Sequence, residues 1–498
     1  MSNTATGRPV RIRNLLAYGS GDIYGGGSFL LISMFFLFYL TNVIGLSPAV
    51  SGLIIGLGSI WDGISDPMMG YISDNTRTRF GRRRIFFLIG IVPITVSFVL
   101  MWLPVRFGNA AMTAVYFGFA YLLFKTVFTM VMVPYAALNA EMTPDYNVRT
   151  RLSGARIIFS QISALLAATV PAMIIKKVQP IEKGYMIMAV IFGVFYAIPW
   201  IFVLLGTWEN ESAKDEKDLK PLKQVFSEFL TLRKNKTFVY HILMYLFAYT
   251  AMDGLMNLFK FYLELNLEKG NLFSVAMGSL MGTQILMMSV YVFISNKMGK
   301  GFSYRMGFIL WALGMIASFF LTKDTPTLYL VLNCILLGSG VSAAVMIPWA
   351  ILPSVIDVDE LITTKQRSGT YSGSMTLVRK LAQGVTIAGI GGILSLIGFV
   401  SPKIVTVNGM PKAVAQLQSP ETLANLKILF FATPVVFIVI GFLISFKFKI
   451  TPETHAILTG EIARLKAGGS KADVTPETKE VCEELTGLPY EELYPLKG

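Results

Sequence analysis

Twelve long runs of apolar residues follow one another along the chain, separated by shorter polar segments. Each run holds roughly the 20 apolar residues that an α-helix needs to cross the hydrocarbon core of a bilayer. The runs are continuously apolar instead of alternating, so they predict helices and not the strands of a membrane barrel. The predicted spans are residues 16–44, 49–73, 85–104, 110–135, 157–176, 186–207, 238–264, 272–296, 304–322, 327–353, 373–398 and 425–447.

The polar segments divide these spans into two groups of six. The longest charged interruption runs from Glu209 to Lys236, between the sixth and seventh spans. A short repeat supports two related halves, because Ala17-Tyr18-x-x-x-Asp22 in the first span recurs as Ala248-Tyr249-x-x-x-Asp253 in the seventh. We therefore predict an all-α polytopic membrane protein with the plan of the major facilitator transporters. The predicted parts are a first half (1–208), a central cytoplasmic loop (209–236), a second half (237–449) and a cytoplasmic tail (450–498).

The composition fits a chain that faces lipid. Only 15% of the 498 residues are charged, whereas an average soluble domain carries about 25%. This excludes a secreted soluble enzyme, a disordered regulator and a soluble nucleic-acid binder. The net charge of +13 comes mainly from bases in the loops on one side of the predicted topology, so it indicates orientation. We expect a monomer in the cell membrane, in contact with lipid and not with nucleic acid, with both termini cytoplasmic.

Few residues carry chemistry that a cofactor or a metal cluster would need. Two cysteines, Cys334 and Cys482, and two histidines, His241 and His455, lie far apart and show no metal-ligand spacing. No nucleophile lies beside a base in a pattern typical of an enzyme. We therefore expect no catalytic activity and no cofactor other than a coupling ion.

Charged residues inside the spans are the informative ones, because each costs several kcal/mol unless it is paired or hydrated. Asp62 and Asp66 lie one helical turn apart in the second span, with Ser65 beside them. Two such carboxylates suit a small cation or a shared proton; the other interpretation is ion pairing with a neighbouring helix. Lys125 in the fourth span is the candidate partner, and Thr129 lies one turn further on. An internal ammonium would compete with sodium, which favours proton coupling or uncoupled transport.

Other charges in the spans have two interpretations each. Asp22 lies in the glycine-rich segment GSGDIYGGGS, where it either accepts hydrogen bonds from substrate hydroxyls or lies near the cytoplasmic headgroups. Lys260 and Glu264 are four residues apart and are predicted to be a structural pair. Arg379 in the eleventh span is predicted to face the central cavity.

The segment WDGISDP at 61–67, followed by DNTRTRFGRR at 74–83, resembles the glycoside–pentoside–hexuronide:cation symporters. The resemblance extends from about residue 14 to 450 and includes RSGTYSGSMTLVRKLAQG at 367–384. It implies a coupling site for Na⁺ or H⁺, a sugar site, and a gating loop of the wider superfamily. The corresponding residues are Asp62, Ser65, Asp66 and Thr129 for the ion, Asp22, Arg156 and Arg379 for the sugar, and Asp74, Arg77, Gly81 and Arg82 for the loop.

Departures from the family pattern concern the sugar. Met132, Ala136 and Gly21 stand where members that carry α-galactosides have an aspartate, a stacking tryptophan and a lysine. With Lys125 added to Arg156 and Arg379, the cavity is predicted to be more basic, so an anionic sugar such as a hexuronide or a sulfonated sugar has comparable weight to a neutral glycoside. We expect a secondary active symporter that works by alternating access. The alternatives are a lysolipid symporter of the same broad family and a sensor or scaffold that has lost transport.

Overall fold

The computed structural model describes residues 9–143, 146–209, 231–365, 367–401, 403–407, 410–414 and 416–495. Within these ranges, twelve helices are long and apolar enough to cross a membrane. Each predicted span coincides with one of them, so the predicted all-α polytopic fold is confirmed. The helices are α1 Ile12–Ile44, α2 Pro48–Ser73, α3 Arg84–Trp102, α4 Ala110–Asn139, α5 Arg151–Lys177, α6 Ile181–Gly206, α7 Lys236–Asn266, α8 Gly270–Met298, α9 Lys300–Phe320, α10 Thr327–Thr363, α11 Thr370–Leu396 and α12 Pro420–Ser445.

Local sequence signals set several helix ends. Ser47 caps the start of α2, where its side chain accepts a hydrogen bond from the amide of Val50 and Pro48 occupies the first turn. At the end of α1, Gly45 has a φ of 91°, a left-handed conformation that glycine adopts without steric cost. The connection between α11 and α12 carries a short antiparallel ribbon that the sequence did not predict, formed by β1 Lys403–Val407 and β2 Met410–Val414.

The first of two compact units comprises residues 1–219, 256–278 and 383–427. In this unit α1 packs against α5 and α6, α2 packs against α4, and α3 packs against α4 and α6. The end of α11 approaches α2 so closely that a Cβ atom on Gly391 would clash with the carbonyl oxygen of Pro48. The start of α8 joins the same unit through Ser274, which donates a hydrogen bond of 2.9 Å to the carbonyl of Thr169 on α5.

A lysine of intermediate burial lies among aromatic rings in this first unit. The ammonium of Lys260, on α7, lies 4.4 Å from the ring centroid of Phe38, 5.1 Å from that of Phe35 and 5.3 Å from that of Phe273. It also lies 3.8 Å from the carboxylate of Glu264. The predicted i, i+4 pair is therefore present, and cation–π contacts tie α7 to α1 and α8.

The second unit comprises residues 220–255, 279–382 and 428–498. Here α9 packs against α10, and two tail helices, α13 Pro452–Lys466 and α14 Pro476–Thr486, pack against the end of α10. His455 and Asp357 are joined at 2.8 Å, and Lys466 reaches Glu360 at 2.6 Å. The tail is thus a folded cap on the end of α10.

The interior of this cap is a small polar cluster. Glu461 accepts two hydrogen bonds of 2.8 Å from the guanidinium of Arg464 and one from the hydroxyl of Tyr490. The hydrogen bonds from Arg464 hold the pKa of Glu461 below its usual range, against the opposing effect of burial, and the bond from Tyr490 adds to the lowering. Cys482 on α14 is fully buried, and burial raises the pKa of its thiol to about 12.

The predicted division of the chain into two halves, a central loop and a tail stays a prediction. The predicted boundaries lie at residues 208, 236 and 449. Most of the central loop, residues 210–230, lies outside the described ranges.

Candidate functional site

The two aspartates of α2 have different partners on α4. The ammonium of Lys125 lies 2.7 Å from Oδ2 of Asp62, and both side chains are almost fully buried. Thr129, one turn further along α4, donates a hydrogen bond of 2.8 Å to Oδ1 of Asp66, and Ser65 donates to the hydroxyl of Thr129 at 3.3 Å. The five predicted coupling residues therefore form one cluster between α2 and α4.

A small cavity lies beside this cluster in the first unit. Its polar lining consists of Lys125, Ser28, Ser33 and Gln383, and the amide of Gln383 donates to the hydroxyl of Ser33 at 2.9 Å. Aromatic rings form much of the rest. The lining thus places hydroxyls, an amide and an ammonium next to apolar ring faces.

Asp22 and Arg156 form a second, more open ion pair in the first unit. The Nε atom of Arg156 lies 3.2 Å from Oδ1 of Asp22, and 33% of the arginine side chain is exposed. The guanidinium lies 5.2 Å from the ring centroid of Tyr135, which in turn stacks on Tyr18 at 4.7 Å. The predicted sugar-contacting residues Asp22 and Arg156 are thus adjacent, and the guanidinium retains surface that a ligand can reach.

Arg379, the third predicted sugar residue, lies in the second unit. Its two terminal nitrogens donate to the two carboxylate oxygens of Asp253 at 2.6 and 2.8 Å. The guanidinium lies 4.8 Å from the ring centroid of Tyr249, whose hydroxyl accepts a hydrogen bond from Trp349 at 3.2 Å. Both members of the ion pair are buried. Arg379 is therefore held by a bidentate acid within its own unit.

The predicted gating loop between α2 and α3 is held by two acids. Gly81 has a φ of 105°, and a Cβ atom there would lie 2.5 Å from a carboxylate oxygen of Glu209, so the position requires glycine. Glu209 accepts hydrogen bonds of 2.8, 2.9 and 2.9 Å from the backbone amides of residues 82, 83 and 84, which satisfies the free amides at the start of α3. The guanidiniums of Arg82 and Arg83 both contact Glu141.

The remaining members of the predicted gating loop are Asp74 and Arg77. The side chain of Asp74 lies outside the described part of the structure. The guanidinium of Arg77 is exposed and donates to the carbonyl of Thr76 at 3.1 Å.

Sequence reasoning missed three acids that the structure places at these sites. Glu141 lies at the end of α4 and Glu209 just after α6, so neither was recognised as a partner of the gating loop. Asp253 was noted as a repeat of Asp22, but its pairing with Arg379 was not predicted. The repeat of Tyr18-x-x-x-Asp22 as Tyr249-x-x-x-Asp253 is the sequence signal for this pair. The family resemblance groups Asp22 with an arginine, Arg156, and the repeat extends that grouping to Asp253.

Twelve membrane-length helices in the described chain, with buried ion pairs between them, define a multi-pass membrane transport protein. The chain matches the model of the MFS/sugar transport protein family over residues 17–452, and it belongs to that family. It is 26% identical to an uncharacterized symporter of Synechocystis, over 91% of this chain and 97% of the relative. It is 23% identical to the glucuronide carrier protein homolog of Escherichia coli, over 91% and 96% of the two chains.

Solved structures support the fold. The crystal structure of the nucleoside transporter NupG aligns with a TM-score of 0.57 at 15% identity, over 88% of this chain and 99% of that one. The predicted family and its major facilitator fold are thereby confirmed.

Proposed function

We propose that this chain is a secondary active symporter that moves a sugar or glycoside with a cation by alternating access. The observation that carries the proposal is the cluster of Asp62 and Asp66 with Lys125, Thr129 and Ser65 inside the membrane. Charges at this depth are expensive, and they persist where they bind an ion or a proton. Cation binding at the α2 acids and substrate binding then each raise the affinity for the other.

The substrate in this proposal is anionic, for example a hexuronide. Arg156 offers a partly exposed guanidinium beside Asp22, which suits a carboxylate or sulfonate flanked by hydroxyls. The relative named as a glucuronide carrier protein homolog supports the same class. The protein acts as a monomer in the cell membrane with both termini cytoplasmic. It needs no cofactor beyond the coupling ion, Na⁺ or H⁺.

Uptake into proteoliposomes tests the proposal. A panel of neutral glycosides and glucuronides is offered while sodium and pH gradients are imposed separately. We expect accumulation of a glucuronide above its external concentration under at least one gradient. The variant D62N/D66N should lose accumulation, whereas Asp324→Asn, an exposed acid between α9 and α10, should retain it. Full accumulation by D62N/D66N would reject the coupling role of the α2 acids.

A further inference from the structure

The ammonium of Lys125 occupies the Oδ2 side of the Asp62 carboxylate, a position that a cation bound to this oxygen would share. Its Nζ atom is 2.7 Å from Oδ2 of Asp62, a normal distance for a charge-assisted hydrogen bond. Asp62 is 1% exposed and Lys125 is 6% exposed, so neither charge is hydrated by bulk solvent. The ring of Tyr121, 5.5 Å from the ammonium, adds a second favourable contact for the positive charge. Lys125 is thus firmly placed on the carboxylate.

A sodium ion at the same carboxylate would meet this ammonium as a like charge. Two unit charges about 4 Å apart at an effective dielectric constant near 20 repel by an energy equivalent to roughly a thousandfold loss of affinity. Sodium binding at Asp62 therefore requires the ammonium to leave a buried ion pair.

The formal charges of the cluster lead to the same conclusion. The carboxylates of Asp62 and Asp66 and the ammonium of Lys125 together leave one negative charge, where the two acids alone would leave two. Asp66 accepts a hydrogen bond from Thr129. One carboxylate with neighbouring hydroxyls is a weaker metal site than two carboxylates, because hard cations are held by several oxygen ligands and by ligand charge.

We propose that Lys125 is a tethered cation that fills the sodium position at Asp62 and makes transport by this chain independent of sodium. The inference rests on the proposed function of the α2 acids as the ion-coupling site, and it assigns Lys125 as the residue that decides ion specificity. A purely structural pair would only join α2 to α4. Removing its ammonium would then destabilise the protein without creating an ion site.

Sodium binding to the purified full-length protein separates the two roles. The readouts are ²²Na⁺ binding and the thermal stabilisation produced by NaCl relative to choline chloride, and neither readout needs a sugar. We expect no saturable sodium binding by the wild type or by Lys125→Arg, which retains the cation. Lys125→Ala should bind sodium with an affinity higher by roughly a thousandfold, and the added change Asp62→Asn should abolish this binding.

Several results would overturn the inference. If the wild type binds sodium saturably and Asp62→Asn removes this binding, the inference is wrong, whatever the Lys125 variants show. The inference is also wrong if Lys125→Ala folds but binds no sodium. If Lys125→Ala does not fold, Lys125→Gln takes its place, since a neutral amide can still donate to Asp62, and failure of the folded glutamine variant to gain sodium binding counts equally against the inference.

Uptake distinguishes this inference from the proposed function. If none of the panel glycosides is transported but Lys125→Ala gains sodium binding, the substrate class is wrong and the role of Lys125 stands. If glucuronide accumulation by the wild type requires a sodium gradient, the symport function stands and the role of Lys125 is wrong.

Discussion

The ion pair between Arg379 and Asp253 should carry much of the stability of the second unit. Replacing Arg379 with glutamine removes the guanidinium that donates to both carboxylate oxygens of Asp253 at 2.6 and 2.8 Å. Asp253 is 1% exposed, so its charge would remain buried without that partner. Breaking a buried pair by removing one member costs about 3–5 kcal/mol, and we expect Arg379→Gln to fall in this range.

The ion pair between Arg156 and Asp22 in the first unit, which corresponds to Arg379 and Asp253 in the second, should contribute less to stability. Arg156 approaches Asp22 through a single contact of 3.2 Å, and a third of its side chain is exposed. Asp22 itself is 7% exposed, so Arg156→Gln also leaves a mostly buried carboxylate with one partner fewer. Because a third of the arginine side chain is already exposed, we expect this change to cost less than Arg379→Gln.

A double-mutant cycle measures the difference. The free energy of unfolding is followed by tryptophan fluorescence during denaturant titration in detergent. The proteins compared are the wild type, Arg379→Gln, Asp253→Asn, the variant carrying both of these changes, and Arg156→Gln. The double variant should recover more than half of the loss, since no unpaired charge remains buried. If the two single losses simply add to within about 0.5 kcal/mol, or if Arg156→Gln costs as much as Arg379→Gln, the reasoning is wrong.

Three further changes probe other parts of the molecule. Lys260→Met keeps the volume but removes the cation–π contacts, and the same titration should show a loss of about 1–2 kcal/mol; an unchanged free energy would contradict it. Glu209→Gln weakens the acceptor for three amides of α3 and should cost about 1–3 kcal/mol, with faster hydrogen exchange confined to the start of that helix. Arg464 lowers the pKa of Glu461 in the folded protein below its value of about 4.3 in the unfolded chain. The ionised Glu461 therefore stabilises the cap fully above about pH 4.3, and this stability is lost as the pH falls through the pKa of Glu461 in the folded protein. Labelling of buried Cys482 by dithiodipyridine should therefore rise below about pH 4.3 in the wild type, but stay level there in Glu461→Gln.

The membrane helices could be predicted from the sequence because a span needs a fixed length of apolar residues. Their ends could not. The prediction stopped α10 at residue 353, where polar residues begin, but the helix continues to Thr363. Its last turns carry Asp357 and Glu360, which are paired with His455 and Lys466 of the tail. Hydropathy indicates where the apolar part of a helix ends. The helix α10 continues beyond that point, because its last turns contact the tail.

The α2 cluster was the part of the site closest to prediction. Spacing places Asp62 and Asp66 on one helix face, and spacing likewise places Lys125 and Thr129 on one face of α4. The structure brings these two faces together, with one acid contacting the lysine and the other the threonine. Which acid takes which partner depends on the vertical register of the helices, and no pattern within a single helix contains that information.

The repeat of Tyr18-x-x-x-Asp22 as Tyr249-x-x-x-Asp253 shows how one local pattern yields two different environments. In each unit the aspartate pairs with an arginine whose guanidinium lies over a tyrosine ring. The first arginine makes one long contact and stays partly exposed, whereas the second is bidentate and buried. Under the proposed function, an anionic substrate would reach the exposed part of Arg156, whereas at Arg379 it would compete with Asp253, which is 1% exposed. The free energies of unfolding of Arg156→Gln and Arg379→Gln therefore compare how strongly each guanidinium is engaged by its own aspartate.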